Sequence, residues 1–410
     1  MRTVTENQLA EVLGRLPGTP RVVASGNHAA PLYALGVLDS VVPEYRLTML
    51  NAPVGIPDRD GVSYETAFVG AGMRAHPRLA YYPCRLSLFP HLLRQALAPD
   101  VVVVHTSVPV GPTVSLGVEV NVLPAAIEAV RARGGIVVAQ ANRQMPTTSG
   151  DALIPIDAVD YLLEVDQPLP TQVTPPPDEI SVGIGERVAA LVPPGATLQL
   201  GIGAIPDATL HALLGHRDLR VWSEMFSDGV LALEKAGCLD PDTPITASFC
   251  FGSPELYDWV DRNPRVRMLR TEKTNDPALI AAHPHLMSIN GALQVDLFAQ
   301  ANASRIGTKV YSGFGGQTDF VVGAMHSPGG HAVIALRSWQ PKADASTVVP
   351  LLTAPVTSFQ HSYIVTEQGT AAVWGRDAVS QAQQILDHAA HPAARDDLRR
   401  AAHGMGLPLR

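Results

Sequence analysis

The feature that most constrains this chain is the alternation of short β-branched runs with helical patterns. The runs RVVASG (21–26), DVVVVHTS (100–107) and GGIVVAQAN (134–142) are apolar at nearly every position. Successive strand residues point to opposite faces, so such a run needs cover on both sides. Between the last two, LPAAIEAVRARGG (123–135) has a helical period and a glycine stop. Strand, helix, strand in that order predicts an α/β fold with mainly parallel sheets. The opening residues 3–16 read as a helix, with Thr3 and Glu6 as a capping box and Leu9, Val12, Leu13 and Leu16 as its apolar stripe.

One stretch interrupts this order. DQPLPTQVTPPPDE (166–179) carries too many prolines for a helix or a central strand and reads as a semi-rigid linker. It divides the chain into an expected N-terminal α/β domain, 1–176, and a C-terminal α/β domain, 177–410. The second series then begins with a helix ISVGIGERVAALV, a strand ATLQLG, a glycine turn and a helix PDATLHALLG.

Composition removes several classes of function. The chain is 46% hydrophobic and 17% charged, with a mean hydropathy of +0.12, a balance opposite to that of disorder. Its 30 lysines and arginines against 38 acids give a formal charge of −8, and no basic block occurs. Nucleic acid is therefore not the expected partner. Three scattered cysteines, no apolar run near bilayer length and no secretory leader pattern in MRTVTENQLAEVL lead to an expected soluble, cytoplasmic protein with no membrane partner. The histidines show no metal-ligand spacing, so no metal is expected.

Three places could carry chemistry. In VWSEMFSDG (221–229), Glu224 shares a strand face with Trp222 and Phe226 if 219–226 is one strand, with Met225 opposite. A carboxylate between aromatics is costly unless it is paired or used. In LQLGIGAIPDATLHALLG (198–215), Gly201 and Gly203 turn a strand into a helix, with Pro206 suited to the first helical position. The free N–H groups around Ala204 and Ile205 could hold an anion or oxyanion. It is not a dinucleotide fingerprint, because the third glycine position is Pro206. In SGFGGQTDFVVGA (312–324), Gly313, Gly315, Gly316 and Gly323 permit close backbone approach, and Gln317 and Asp319 add polar groups. Asn290 in MSINGALQVDL is either a sheet-edge hydrogen-bonding residue or a substrate contact.

Taken in order, QANRQMPTTSGD, YLLEVDQPLP, GATLQLGIGAIPDA, SEMFSDGV, SINGALQVDLFAQAN, SGFGGQTDFVVGA and TEQGTAAVWGRD resemble the acetyl-CoA hydrolase/transferase family, with the pattern of its 4-hydroxybutyrate CoA-transferase branch. The resemblance implies two similar open α/β domains with the active site between them, and a glutamate nucleophile aligned with Glu224. It implies coenzyme A and acyl-CoA as substrates, a carboxylic acid acceptor, and a homodimer or homotetramer. Glu224 would attack the thioester, pass through an acyl-glutamyl anhydride and hold coenzyme A as a glutamyl thioester. Oxyanion donors would come from the Gly201–Ile205 turn or from Gly315 and Gly316, and 313–324 would approach the coenzyme A arm. Trp222, Met225, Phe226 and Asn290 would line the substrate pocket.

The chain departs from the family pattern at Ser149, His331 and Gln368, and at VGPTV (110–114). These departures leave the acyl group and the acceptor open. Hydrolysis, with water intercepting the intermediate, is the runner-up. Acyl delivery to a hydroxyl or amine and a silent acyl-CoA-binding protein are further readings.

Overall fold

The strand of residues Val101–Ser107 (β6 below) shows why the apolar runs had to be buried: every one of its residues is buried, and Val101 to Val104 are at most 1% exposed. It sits within an eight-stranded sheet. In chain order the strands are β1 (Arg2–Thr3), β2 (Arg21–Ala24), β3 (Tyr45–Thr48), β4 (Val62–Thr66), β5 (Leu79–Tyr81), β6 (Val101–Ser107), β7 (Ile136–Asn142) and β8 (Tyr161–Val165). Across the sheet they run β1-β8-β7-β6-β2-β3-β4-β5, and every pairing is parallel. Burying each valine side chain contributes about 1.5–3 kcal/mol, which is the main force holding such a strand.

Helix α1 (Glu6–Leu13) places Leu9 and Leu13 in the core with Leu35, Leu38 and Tyr45. The cap differs from the sequence expectation. Thr5 accepts from the Gln8 N–H and Gln8 answers to the Thr5 N–H, while Arg2 and Thr3 pair with Tyr161 and Leu162. Thr5 and Gln8 have the same capping-box spacing as Thr3 and Glu6. The edge of the sheet, which local sequence does not show, decides between them. Helices α2 (Leu32–Val41) and α3 (Leu123–Ala132) cover the sheet further, α3 packing on β6 and β7.

The computed structural model describes residues 1–172, 175–356 and 360–410. Val173 and Thr174 of the proline-rich stretch lie outside the described residues, and its other described residues, 166–172 and 175–178, form no helix or strand. Helix α4 (Glu179–Ala189) follows, capped by the Asp178 carboxylate on the Ser181 N–H.

A second sheet has six strands. They are β9 (Thr197–Leu200), β10 (Arg220–Val221), β11 (Leu286–Gly291), β12 (His331–Ala335), β13 (Tyr363–Thr366) and β14 (Gly369–Ala372). The order is β10-β9-β11-β12-β13-β14, parallel except for the antiparallel β14. Helix α5 (Ala204–Ala212) packs on α4, α6 (Gln317–His326) packs on β11 and β12, and α7 (Ala378–His388) packs on β14.

The chain folds into two compact units, and neither is continuous in sequence. The first comprises 1–172, 244–274 and 310–315; the second comprises 173–243, 275–309 and 316–410. Segment 244–274 joins the first unit through Val266–Met268, which pairs in parallel with Ile245–Ala247 and with Ser149–Gly150. Arg270 secures it further, with a bidentate pair to Glu128 and a second carboxylate in Glu272.

Candidate active site

The site is built on the carboxyl edge of the second sheet, where open α/β sheets place their ligands. Trp222 N–H still donates to Leu198 C=O, as a strand neighbour of β9 should. The Ser223 hydroxyl then takes over, donating to Leu200 C=O at 3.3 Å and accepting from Leu200 N–H at 3.4 Å. The backbone bends at Glu224 before Met225–Phe226 resumes extended structure. The single strand expected over 219–226 is therefore interrupted, and the bend releases Glu224 from strict face alternation. Met225 and Phe226 are buried, and Trp222, also buried, packs its ring 4.4 Å from that of His283.

The Glu224 side chain is tightly enclosed. Asn275 Nδ2 donates to its Oε2 at 3.0 Å, and the Gly316 N–H is a second donor. A Cβ added at Gly316 would lie 1.7 Å from that same Oε2 and 2.3 Å from Asn275 Nδ2. Glycine is required there because the carboxylate occupies the place of a side chain. Gly316 also caps α6, whose positive end favours an anion. Opposing this, burial first and the negative Asp319, fully buried in the first turn of α6, outweigh the Asn275 and Gly316 bonds and hold the Glu224 carboxyl at about 7.

Asn275 carries no signal of its own in the sequence. It sits between the short helix Thr271–Thr274 and Asp276, which caps Pro277–Ala281 through the Ala278 N–H. The Asn-Asp-Pro run marks a turn, and the turn fixes the amide while saying nothing of what it faces.

Around this centre the same edge carries other residues singled out from the sequence. Gly203, at φ 114°, is the N-cap of α5, with Gly201 just beyond β9. Helix α5 begins at Ala204, so Pro206 is its third residue rather than its first. That is tolerated, because the first turn's N–H groups have no helical partner. Ile205 C=O accepts from the Thr209 hydroxyl. Asn290, near the end of β11, donates to Gln199 Oε1 at 2.9 Å and to Ser288 Oγ at 2.9 Å. Gln317 Nε2 donates to Gly291 C=O at 3.3 Å. Gly323 allows α6 to approach Pro277–Ala281, since a Cβ there would lie 2.3 Å from Ile280 Cγ2.

Gly313 and Gly315 belong to the first unit. A Cβ at Gly313 would lie 2.4 Å from Ala67 C=O, and Gly315 packs on the Phe68 ring at φ 56°. Of the departures, Ser149 donates to Val266 C=O and Gln368 donates to Glu367 and Ser338. His331 bonds Ser362 at the amino end of β12, the edge opposite Gln368. Among the described residues, no group of three or more His, Cys, Asp and Glu side chains is arranged to hold a metal, and no helix is long and apolar enough to cross a membrane.

Comparison with known proteins places this geometry. Residues 252–402 match the acetyl-CoA hydrolase/transferase C-terminal domain. The 4-hydroxybutyrate coenzyme A transferase of Clostridium kluyveri is 38% identical over 333 residues, which cover 78% of this chain and 76% of that one. The succinyl-CoA:acetate/propanoyl-CoA:succinate CoA transferase of Fasciola hepatica is 34% identical over 96% of this chain and 86% of its own. The crystal structure of a 4-hydroxybutyrate CoA-transferase from Porphyromonas gingivalis superposes with a TM-score of 0.82 at 31% identity, covering 98% of both chains. The chain belongs to the acetyl-CoA hydrolase/transferase family. It is an enzyme of that family, with the two mainly parallel α/β units expected from its alternating strands and helices.

Proposed function

We propose that this enzyme moves coenzyme A between an acyl-CoA and a carboxylic acid, with Glu224 as the nucleophile. The observation that carries the reading is the fit of the Glu224 carboxylate into the space left by Gly316, with one oxygen bonded to Asn275. Oε1 attacks the acyl carbonyl carbon, the C–S bond breaks, and coenzyme A thiolate leaves an acyl-glutamyl anhydride. The thiolate then attacks Glu224 Cδ, the anhydride C–O bond breaks, and the first acid departs as carboxylate. A glutamyl-CoA thioester remains. An incoming carboxylate reverses both steps and leaves with the coenzyme A.

Attack at Cδ places negative charge on Oε2, to which Asn275 Nδ2 already donates, and the Gly316 N–H donates to the same carboxylate. These donors need no reorganisation to stabilise that intermediate, a contribution of about 3–4 kcal/mol when one such donor is lost elsewhere. Attack at the acyl carbon needs separate donors, and the N–H groups of the Gly201–Ile205 turn serve there. Trp222, Met225 and Phe226 supply apolar surface near a nucleophile that gains from exclusion of water. Gln317, Asp319 and Gly323 belong to the helix that meets the coenzyme A arm.

The test is mass spectrometry of the protein after incubation with acyl-CoA, before and after borohydride. A coenzyme A adduct on the peptide containing Glu224 is expected before reduction, and after it the coenzyme A should be released with Glu224 reduced to the alcohol; an unmodified Glu224 across a panel of acyl-CoAs would refute the mechanism. Thiol release with and without added carboxylate separates transfer from hydrolysis. Transfer needs the acceptor, whereas hydrolysis proceeds at the same rate without it.

A further inference from the structure

We propose that the second unit carries an accessory site for a planar aromatic anion, on the sheet edge opposite Glu224. A cavity of about 370 Å³ lies there, where β13 begins and β14 ends. Gly201, Asn290 and Glu367 lie at or beyond the carboxyl ends of β9, β11 and β13, so the cavity is set apart from them by the length of the strands.

Its lining defines the ligand. Trp374 is 60% exposed and Phe298 is 37% exposed, and both line the cavity. Exposed aromatic faces of this kind bind planar rings by stacking. Arg376 fixes its guanidinium by donating from Nε to Ala372 C=O, and no described residue accepts from its two terminal nitrogens. Two such parallel donors match a carboxylate or phosphate. His361 forms part of the wall and is held neutral, since burial pushes it down to about 4. Among the described residues no Asp or Glu lines the cavity, and Arg376 is the ionised group that the ligand meets. Gln381 donates to Arg376 C=O and lines the same cavity. A ring to stack on Trp374 and an anion to pair with Arg376 together describe a nucleoside monophosphate or an aryl carboxylate.

The test titrates the full-length chain with AMP, benzoate, adenosine and inorganic phosphate, read by tryptophan fluorescence with Trp374 as the exposed reporter. AMP, benzoate or both are expected to give a saturable change. Adenosine and phosphate, each lacking one half of the recognition, should bind at least tenfold more weakly. Saturation with AMP alone assigns a nucleotide; saturation with benzoate assigns an aryl carboxylate. Trp374→Phe should abolish the signal, and Arg376→Gln should raise Kd about tenfold, the loss expected for a charge-assisted pair. If neither anionic probe saturates, or the change persists in both variants, the site does not exist. Should Trp374→Phe fail to fold, calorimetric titration of Arg376→Gln carries the same comparison. The same titration on Glu224→Gln should be unchanged, so its outcome is independent of the coenzyme A reading.

Discussion

Glu224→Gln should stabilise the folded protein at pH 8 while abolishing turnover. The Glu224 carboxyl is pushed from its ordinary 4.5 up to about 7 by burial. The folded state therefore holds its proton more tightly than the unfolded chain. Ionised at pH 8, the side chain opposes folding; that penalty fades as pH falls through 7 and is gone below 4.5, where both states are protonated. At about 1.4 kcal/mol per pH unit, the interval is worth about 3 kcal/mol. Glutamine keeps an acceptor for Asn275 Nδ2 and the Gly316 N–H while removing the charge. Urea denaturation followed by circular dichroism, at pH 8 and pH 5, measures the effect. The variant should gain up to about 3 kcal/mol at pH 8 and less than about 1 kcal/mol at pH 5. In the unsubstituted enzyme, kcat/KM should rise through pH 7 as the carboxylate forms. Equal stability of the two proteins at pH 8, or a difference that does not shrink by pH 5, would refute the account of Glu224 as a carboxylate held against its hydration.

Asn275→Ala should lower kcat by about 10²- to 10³-fold with a smaller change in KM, because the amide acts on the charge that forms at Glu224; steady-state kinetics and recovery of the adduct by mass spectrometry check this. Arg270→Gln removes a guanidinium shared by Glu128 and Glu272, with the Arg270 side chain 17% exposed. It should cost about 2–3 kcal/mol of stability, read by urea denaturation, with the loss arising in the segment that carries Val266–Met268.

The sequence made some of this legible and hid the rest for physical reasons. β2, β6 and β7 lie where their valine-rich runs place them, because continuous apolarity has few solutions other than a doubly covered strand. Glu224 stood out because a carboxylate among aromatics demands an explanation. Its partner Asn275 did not, since the meeting of residues 224, 275 and 316 is a property of the folded chain. The bend at Glu224, after Ser223, was hidden as well. Serine in an apolar run reads as one polar strand position, and only the fold shows its hydroxyl replacing a ladder bond. The proline-rich stretch reads as a linker from plain composition. Nothing comparable flags 244–274 or 310–315, whose membership in the first unit depends on pairing with Ser149–Gly150 and on bonds such as Ser312 C=O to the Val69 N–H.

Those returning segments have a consequence for how the molecule is made. The chain passes between the two units five times, at 172/173, 243/244, 274/275, 309/310 and 315/316. On the ribosome, the first unit cannot be completed when residue 172 emerges. It must wait for 244–274 and then for 310–315, with most of the second sheet's early strands already extruded. Neither unit can be cut out as a continuous fragment with all its parts. Folding of the two is thereby tied into one late event, and a chaperone that shields the waiting edge at Ser149–Gly150 would act on nascent chains shorter than about two-thirds of the full length.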